Sequence, residues 1–198
     1  MTSSNPLRAL AAFALAISVA GAALAAPPTP EDYATARALY KEGKERRAAG
    51  DLKGAFEKLK AAHALGRTPI TGIELARTEE QLGMLVEARE TCLDVVRMPV
   101  ASDESERSAA AREDAAKLAA ELRPRLGAIR IHVTSSAPAI VTVDGENVPP
   151  AALGEPRLVD PGRHVITAHV EGGASVSASV DVTESQSGDV SLAPPPAP

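Results

Sequence analysis

The chain has 198 residues, room for one or two small domains. Aromatics are 2% with no Trp while hydrophobics reach 44%, so any core rests on Ala, Val and Leu, which suits closely packed helices. A net charge of −5 without a concentrated basic face argues against a nucleic-acid partner. The single cysteine, Cys92, excludes an internal disulfide.

Residues Met1 to Ala25 read as a secretory signal peptide: Arg8, an apolar run from Ala9 to Ala20, then Ala23-Leu24-Ala25 as an Ala-x-Ala cleavage site. The apolar stretch of about 17 residues, broken by Gly21, is marginal for a membrane span. A mature chain starting near Ala26, exported and without a stable span, is the expectation. No Cys follows the run, which excludes a lipoprotein. A stiff Pro-rich leader is expected over 26–33, with Thr29 or Asp32 capping the first helix.

Residues 34–126 carry helical periodicity. Ala36, Leu39, Tyr40 and Gly43 share one face of a first helix, and Gly43 is placed for close approach of a neighbour. After Ala49-Gly50-Asp51, a second helix shows an apolar stripe of Leu52, Ala55, Phe56, Leu59 and Ala62, and Gly66 and Pro69 end it. The pattern then recurs 33 residues on: Gly50 answers to Gly83, Leu52 to Leu85, Ala55 to Ala88, Leu59 to Cys92 and Ala62 to Val95. A fixed period of that size marks stacked helix-turn-helix units. Ile73, Ala76 and Leu82 line the third helix; Leu85, Ala88, Cys92, Val95 and Val96 line the fourth, which Pro99 closes. A fifth helix, capped by Ser102 or Asp103, is expected to cover the open end. Ala109, Ala115, Leu118, Ala119 and Leu122 form its buried side; Arg107, Arg112, Glu113, Lys117 and Glu121 form its outer face.

At Gly127 the period changes to two. Ile129, Ile131 and Val133 alternate with Arg130 and His132, and Val141 and Val143 lead into an Asp144-Gly145 hairpin turn. Arg157 to Val159, Arg163 to Val170, Val176 to Val182 and Val190 to Leu192 follow as short strands between turns. This 127–192 region predicts a small antiparallel β-sandwich, followed by a disordered Pro-rich tail over 193–198. It is acidic, with three Arg against eight Asp and Glu, whereas the helical region is near neutral. The fold class expected is therefore α+β: about five helices, then a sandwich.

The helical region resembles the tetratricopeptide repeat family, through Gly43, Gly50, Ala55, Leu59 and Ala62 in one unit and Gly83, Ala88, Cys92, Val95 and Pro99 in the next. The β region resembles the PEGA domain, through Ile140-Val141-Thr142-Val143-Asp144-Gly145, Leu153-Gly154-Glu155-Pro156 and Asp160-Pro161-Gly162-Arg163-His164. Together, behind a signal peptide, they look like a bacterial envelope arrangement. The resemblance implies binding and scaffolding rather than catalysis, with an envelope or secreted protein as partner. In the tetratricopeptide family the first helices of each unit line the concave groove.

No phosphate loop, His-Glu-x-x-His pair, Gly-x-Ser-x-Gly elbow or Cys-x-x-Cys pair is present, and no metal or cofactor is expected. His63 has no second ligand near it in sequence, and His164 and His169, five apart, point to opposite faces of a regular strand. Cys92 at a core position of the repeat reads as a buried inert thiol, and Asp144-Gly145-Glu146-Asn147 as a plain turn rather than a calcium loop. The candidate partner-binding set is Arg37, Lys41 and Lys44, on one face of the first helix, with Tyr40 and, from the next unit, Arg77. A basic groove with an aromatic would hold an acidic peptide or a C-terminal carboxylate by charge-assisted hydrogen bonds. The competing expectation is a glycan binder acting through the β region, which has no Phe, Tyr or Trp to stack on a sugar ring.

Overall fold

A computed structural model describes residues 29–197. The expected signal peptide and the start of the leader lie outside the described residues. The fold is α+β: five helices, α1 (Pro30–Ala48), α2 (Leu52–Leu65), α3 (Pro69–Gln81), α4 (Leu85–Arg97) and α5 (Glu106–Leu122), precede seven strands. Those strands are β1 (Gly127–Val133), β2 (Ala139–Val143), β3 (Glu146–Val148), β4 (Arg157–Val159), β5 (Gly162–Val170), β6 (Val176–Val182) and β7 (Ser187–Leu192). No helix among the described residues is long and apolar enough to cross a membrane.

Helix α1 starts earlier than the leader boundary allowed. Thr29 and Asp32 act together as a capping box, and Pro30 occupies the first turn, where its missing N–H costs nothing. The helix meets α2 along small residues. Gly43 and Ala36 of α1 are buried, as are Ala55, Leu59 and Ala62 of α2. A Cβ on Gly43 would lie 2.7 Å from Cγ of Leu59, and one on Gly66 would lie 2.9 Å from Cβ of Ala36. The start of α1 thus meets the end of α2, and the two run antiparallel.

The 33-residue equivalences hold in backbone conformation and in burial. Gly50 and Gly83 both sit in the left-handed region, with φ of 83° and 81°, each immediately ahead of its second helix. Ala55 and Ala88, Leu59 and Cys92, and Ala62 and Val95 are each fully buried. One member of the repeat differs. Asp51 caps α2 through Gly54 N–H, but its equivalent, Met84, offers α4 no side-chain cap.

Helix α5 begins at Glu106 under a Ser105 cap, not at Ser102 or Asp103. The run Ser102 to Ser105 holds several residues able to cap, and Glu104 is drawn away to pair with Arg112 at 2.8 Å. Arg112 is not on an outer polar face. Its Nη1 donates to the carbonyls of Val95 and Met98, both at 2.8 Å, so it closes the C-terminal end of α4. Val96, expected in the α4 stripe, is instead exposed. A core of Ile73, Ala76, Leu85, Ala88, Val95, Ala115, Leu118 and Leu122 joins α3, α4 and α5.

In the β module, a pair of sheets closes over one apolar core, with strand orders β4-β1-β7 and β3-β2-β5-β6. Ile129, Ile131 and Val190 of the first sheet meet Val141, Ile166 and Val182 of the second. The sheets are not wholly antiparallel: β7 pairs with β1 in parallel, from Ala128–Ser187 to Val133–Leu192. Turn signals predict pairing between consecutive strands, whereas this pair joins the two ends of the module after the chain changes sheet. The three-residue β3 is an additional strand, paired with β2 across the Asp144-Gly145 turn. The Pro-rich tail is described to Ala197 without regular structure, with Pro194 buried and Pro195 beside Gly173.

The junction between the halves is pinned on both sides. Arg125 pairs with Glu80 of α3 at 2.6 Å and approaches Glu184 at 3.9 Å. Ser185 donates from its N–H to the carbonyl of Leu126 and from Oγ to that of Pro124, at 3.0 and 2.6 Å.

Two outcomes follow for stability. Gly43→Ala gains up to about 1 kcal/mol of helix propensity but forces apart a packed pair, so urea unfolding should show a net loss of about 1–2 kcal/mol. Arg112→Met keeps the stem and removes the donors that close α4; a loss of about 2 kcal/mol is expected in the same assay.

Candidate functional site

The first helices of the two units and the start of α5 line a half-open cavity of about 330 Å³. Its wall is mostly apolar: Tyr33, Ala36 and Tyr40 from α1, Gly66 after α2, and Ile70 from α3. Arg37 of α1 and Arg107 of α5 stand at it, with Thr68 and Thr71 as further polar groups. Tyr33 and Tyr40 are the only tyrosines in the chain. The Tyr40 hydroxyl is buried with no hydrogen-bond partner among the described residues.

Arg37 and Tyr40 of the expected set are brought together here; Lys41, Lys44 and Arg77 are not. The Lys41 side chain is 79% exposed and reaches Glu45 at 3.8 Å. Lys44 lies over the Tyr40 ring, its Nζ 5.6 Å from the centroid. Arg77 is held by Glu74 at 3.3 Å and by Asp114 of α5 at 2.6 Å. Glu74 also pairs with Arg47 of α1, whose Nη1 donates to the Glu74 carbonyl and to Thr78. This chain of ion pairs ties α1, α3 and α5 together and neutralises that stretch of the helix faces.

Neither Arg37 nor Arg107 forms an ion pair among the described residues. Periodicity placed Arg107 on an outer face because it faces away from the core of α5. The signal that would have found it is positional: it lies in the first turn of α5, level with the first turns of α1 and α3.

The remaining polar residues have structural partners. His63 Nδ1 lies 2.9 Å from Thr71 Oγ1, and burial, with Arg67 adding to it, pushes the ring below the ordinary histidine value. Burial first, then Glu79 and Glu80, push the Cys92 thiol up to about 12, which keeps it in the unreactive protonated form. His164 is buried while His169, on the opposite face of β5, is half-buried. The Asp144 carboxylate accepts from Val165 N–H at 2.8 Å and contacts His164 at 2.6 Å, which commits it within the turn. No group of three metal-ligating side chains occurs among the described residues.

No family model matches this chain, and no curated protein matches it.

Glu79 of α3 is 5% exposed and its Oε2 has no hydrogen-bond partner among the described residues. Burial raises its carboxyl above the ordinary range. The folded state holds that proton more tightly than the unfolded chain, so ionisation costs stability once pH exceeds the unfolded value. Glu79→Gln should therefore be more stable than the parent at pH 7 by a few degrees in melting temperature. The difference should shrink as pH falls toward 4, a trend that paired thermal melts at both pH values would read.

Proposed function

We propose that this chain is an exported, non-catalytic interaction module of a bacterial cell envelope, and that it captures an acidic segment of a protein partner at the cavity between α1, α3 and α5. The observation that supports this most directly is the pairing of two arginines from different helices, both without acidic partners among the described residues, beside an apolar cavity lined by tyrosines. Arg46, Arg47 and Arg77 are matched with acids; other cations of the helical half, such as Lys53 and Lys117, also form no ion pair among the described residues, and what distinguishes Arg37 and Arg107 is that both line one cavity. An unmatched pair is the arrangement that leaves attraction available for an incoming carboxylate. The size of the cavity suits one apolar side chain next to that carboxylate. The tetratricopeptide-like pattern of the units and the signal-peptide-like segment support the same reading.

The β module is read as the positioning element of the chain. A glycan-binding surface there finds no support, because no aromatic side chain occurs from Gly127 onward.

Peptides bearing a leucine next to a glutamate, immobilised and probed with the folded chain, test the assignment. Acidic peptides should be retained and their Gln counterparts should not. Combined Arg37→Glu and Arg107→Glu should weaken retention about ten- to a hundredfold, the worth of a charged hydrogen bond or two. Lys41→Glu, in a residue that does not line the cavity, should change it little at 150 mM salt. Equal retention of acidic and neutral peptides would overturn the proposal.

A further inference from the structure

Helix α4 is the one helix among the described five without a capping side chain of its own. Thr29, Asp51, Thr68 and Ser105 cap the others, and Met84 stands where the repeat pattern puts Asp51. The missing acceptor comes from the β module. Oδ1 of Asp160, on the turn between β4 and β5, accepts from the N–H of Val86 in the first turn of α4, at 2.8 Å. A carboxylate there satisfies an orphan donor and sits at the positive end of the helix dipole.

The turn carrying Asp160 is itself held from behind. Nε2 of His164 lies 2.7 Å from the Asp160 carbonyl, and Nδ1 lies 2.6 Å from Oδ2 of Asp144. Both partners accept hydrogen bonds, so satisfying both requires both ring nitrogens to donate. Only the imidazolium form does that. A cleft of about 190 Å³ at the junction is lined by Val86 and Glu87 of α4 and by Asp144, Arg157, Asp160 and His164 of the β module.

We propose that Asp160 and His164 form a latch between the two modules: the β module docks on the N-terminus of α4 as its cap, and doubly protonated His164 holds Asp160 in the docked position. The contact is independent of the cavity between α1, α3 and α5.

The charged groups around His164 favour that form. Asp144 and Glu146 come from the β2–β3 hairpin, Asp160 from the β4–β5 turn and Glu87 from α4, against Arg157 of β4. Burial opposes the charge on His164, but the hydrogen bonds to Asp144 and to the Asp160 carbonyl outweigh it and raise the ring above its ordinary value of 6.5. A raised histidine contributes fully below the unfolded value and loses its contribution as pH rises through the folded one. The latch is therefore closed below the ordinary value of 6.5, while the carboxylates stay ionised, and it loosens as pH rises through the folded value of the ring, which then has one N–H for two acceptors.

The test is the Val86 amide of the full chain, followed by NMR between pH 5.5 and 9. Its proton resonance should move in one step with a midpoint above 6.5, coincident with the titration of the His164 ring. In Asp160→Ala the step should vanish, and hydrogen exchange in the first turn of α4 should accelerate about tenfold, the scale of a lost cap. In His164→Gln, which does not titrate and cannot donate to both acceptors, the step should vanish and the first turn of α4 should exchange faster at every pH. Should that variant fail to fold, Asp144→Asn serves instead: it removes one carboxylate from the ring, and the step should move to lower pH. A Val86 resonance that does not titrate, a step that survives His164→Gln, a step unmoved by Asp144→Asn, or unchanged exchange in Asp160→Ala would each overturn the latch.

Discussion

The helical half depends on how closely its helices approach. With aromatics at 2% of the chain, there are few large side chains to bridge a gap between backbones, so dispersion and burial must be gained by bringing the backbones near. The contact of Gly43 with Leu59 shows how this is done. A missing side chain on one helix makes a socket, and a leucine with no exposed surface fills it. Fully buried alanines, Ala55, Ala62, Ala76 and Ala88, repeat the same arrangement at smaller scale. Such a core is intolerant of added volume, since a Cβ at Gly43 would press on the side chain of Leu59, which is itself fully buried.

This constraint explains what was legible in the sequence. Small residues at fixed spacing are a strong signal because they are forced. Gly50 and Gly83 mark turns whose φ only glycine adopts readily, and of the pairs 33 residues apart Ala55/Ala88, Leu59/Cys92 and Ala62/Val95 share burial as well as pattern, while Leu52 is only half-buried against a buried Leu85. Strand alternation was equally readable, because Ile129 and Ile131 face in while Arg130 and His132 face out. What escaped was set by contacts between distant segments. The parallel pairing of β1 with β7 joins the two ends of the module, and no local turn announces it. The start of α5 was ambiguous because Ser102, Asp103 and Ser105 are all able to cap, and it is the Ser105 side chain that accepts from Ser108 N–H.

The candidate site was half legible for the same reason. Helical spacing set Arg37 beside Tyr40, since both facts belong to a single helix. Spacing also put Lys41 and Lys44 on that face, but a face is wider than a cavity. Whether a cation is available for a ligand depends on whether an acid elsewhere has claimed it. Arg77 is claimed by Asp114, 37 residues on, and Arg107 is not claimed within the described chain. No periodicity carries that information; it resides in the register of α3 against α5.

Among the described residues, polar contacts cross the junction between Arg125 and Glu80, between Ser185 and the Pro124 and Leu126 carbonyls, and between Asp160 and Val86. The first two lie at the chain connection and would form in any arrangement that kept the linker short. The third is set apart from the linker in sequence, 74 residues separating its partners, so it fixes a rotation that the linker alone leaves open. It also falls at the one place where the helical repeat departs from its own rule, with Met84 in the position of Asp51. The helical half lacks a cap at the point where the β module presents a carboxylate, and each therefore completes the other. Any force that separates the modules takes the Asp160 carboxylate from the Val86 N–H and so uncaps α4.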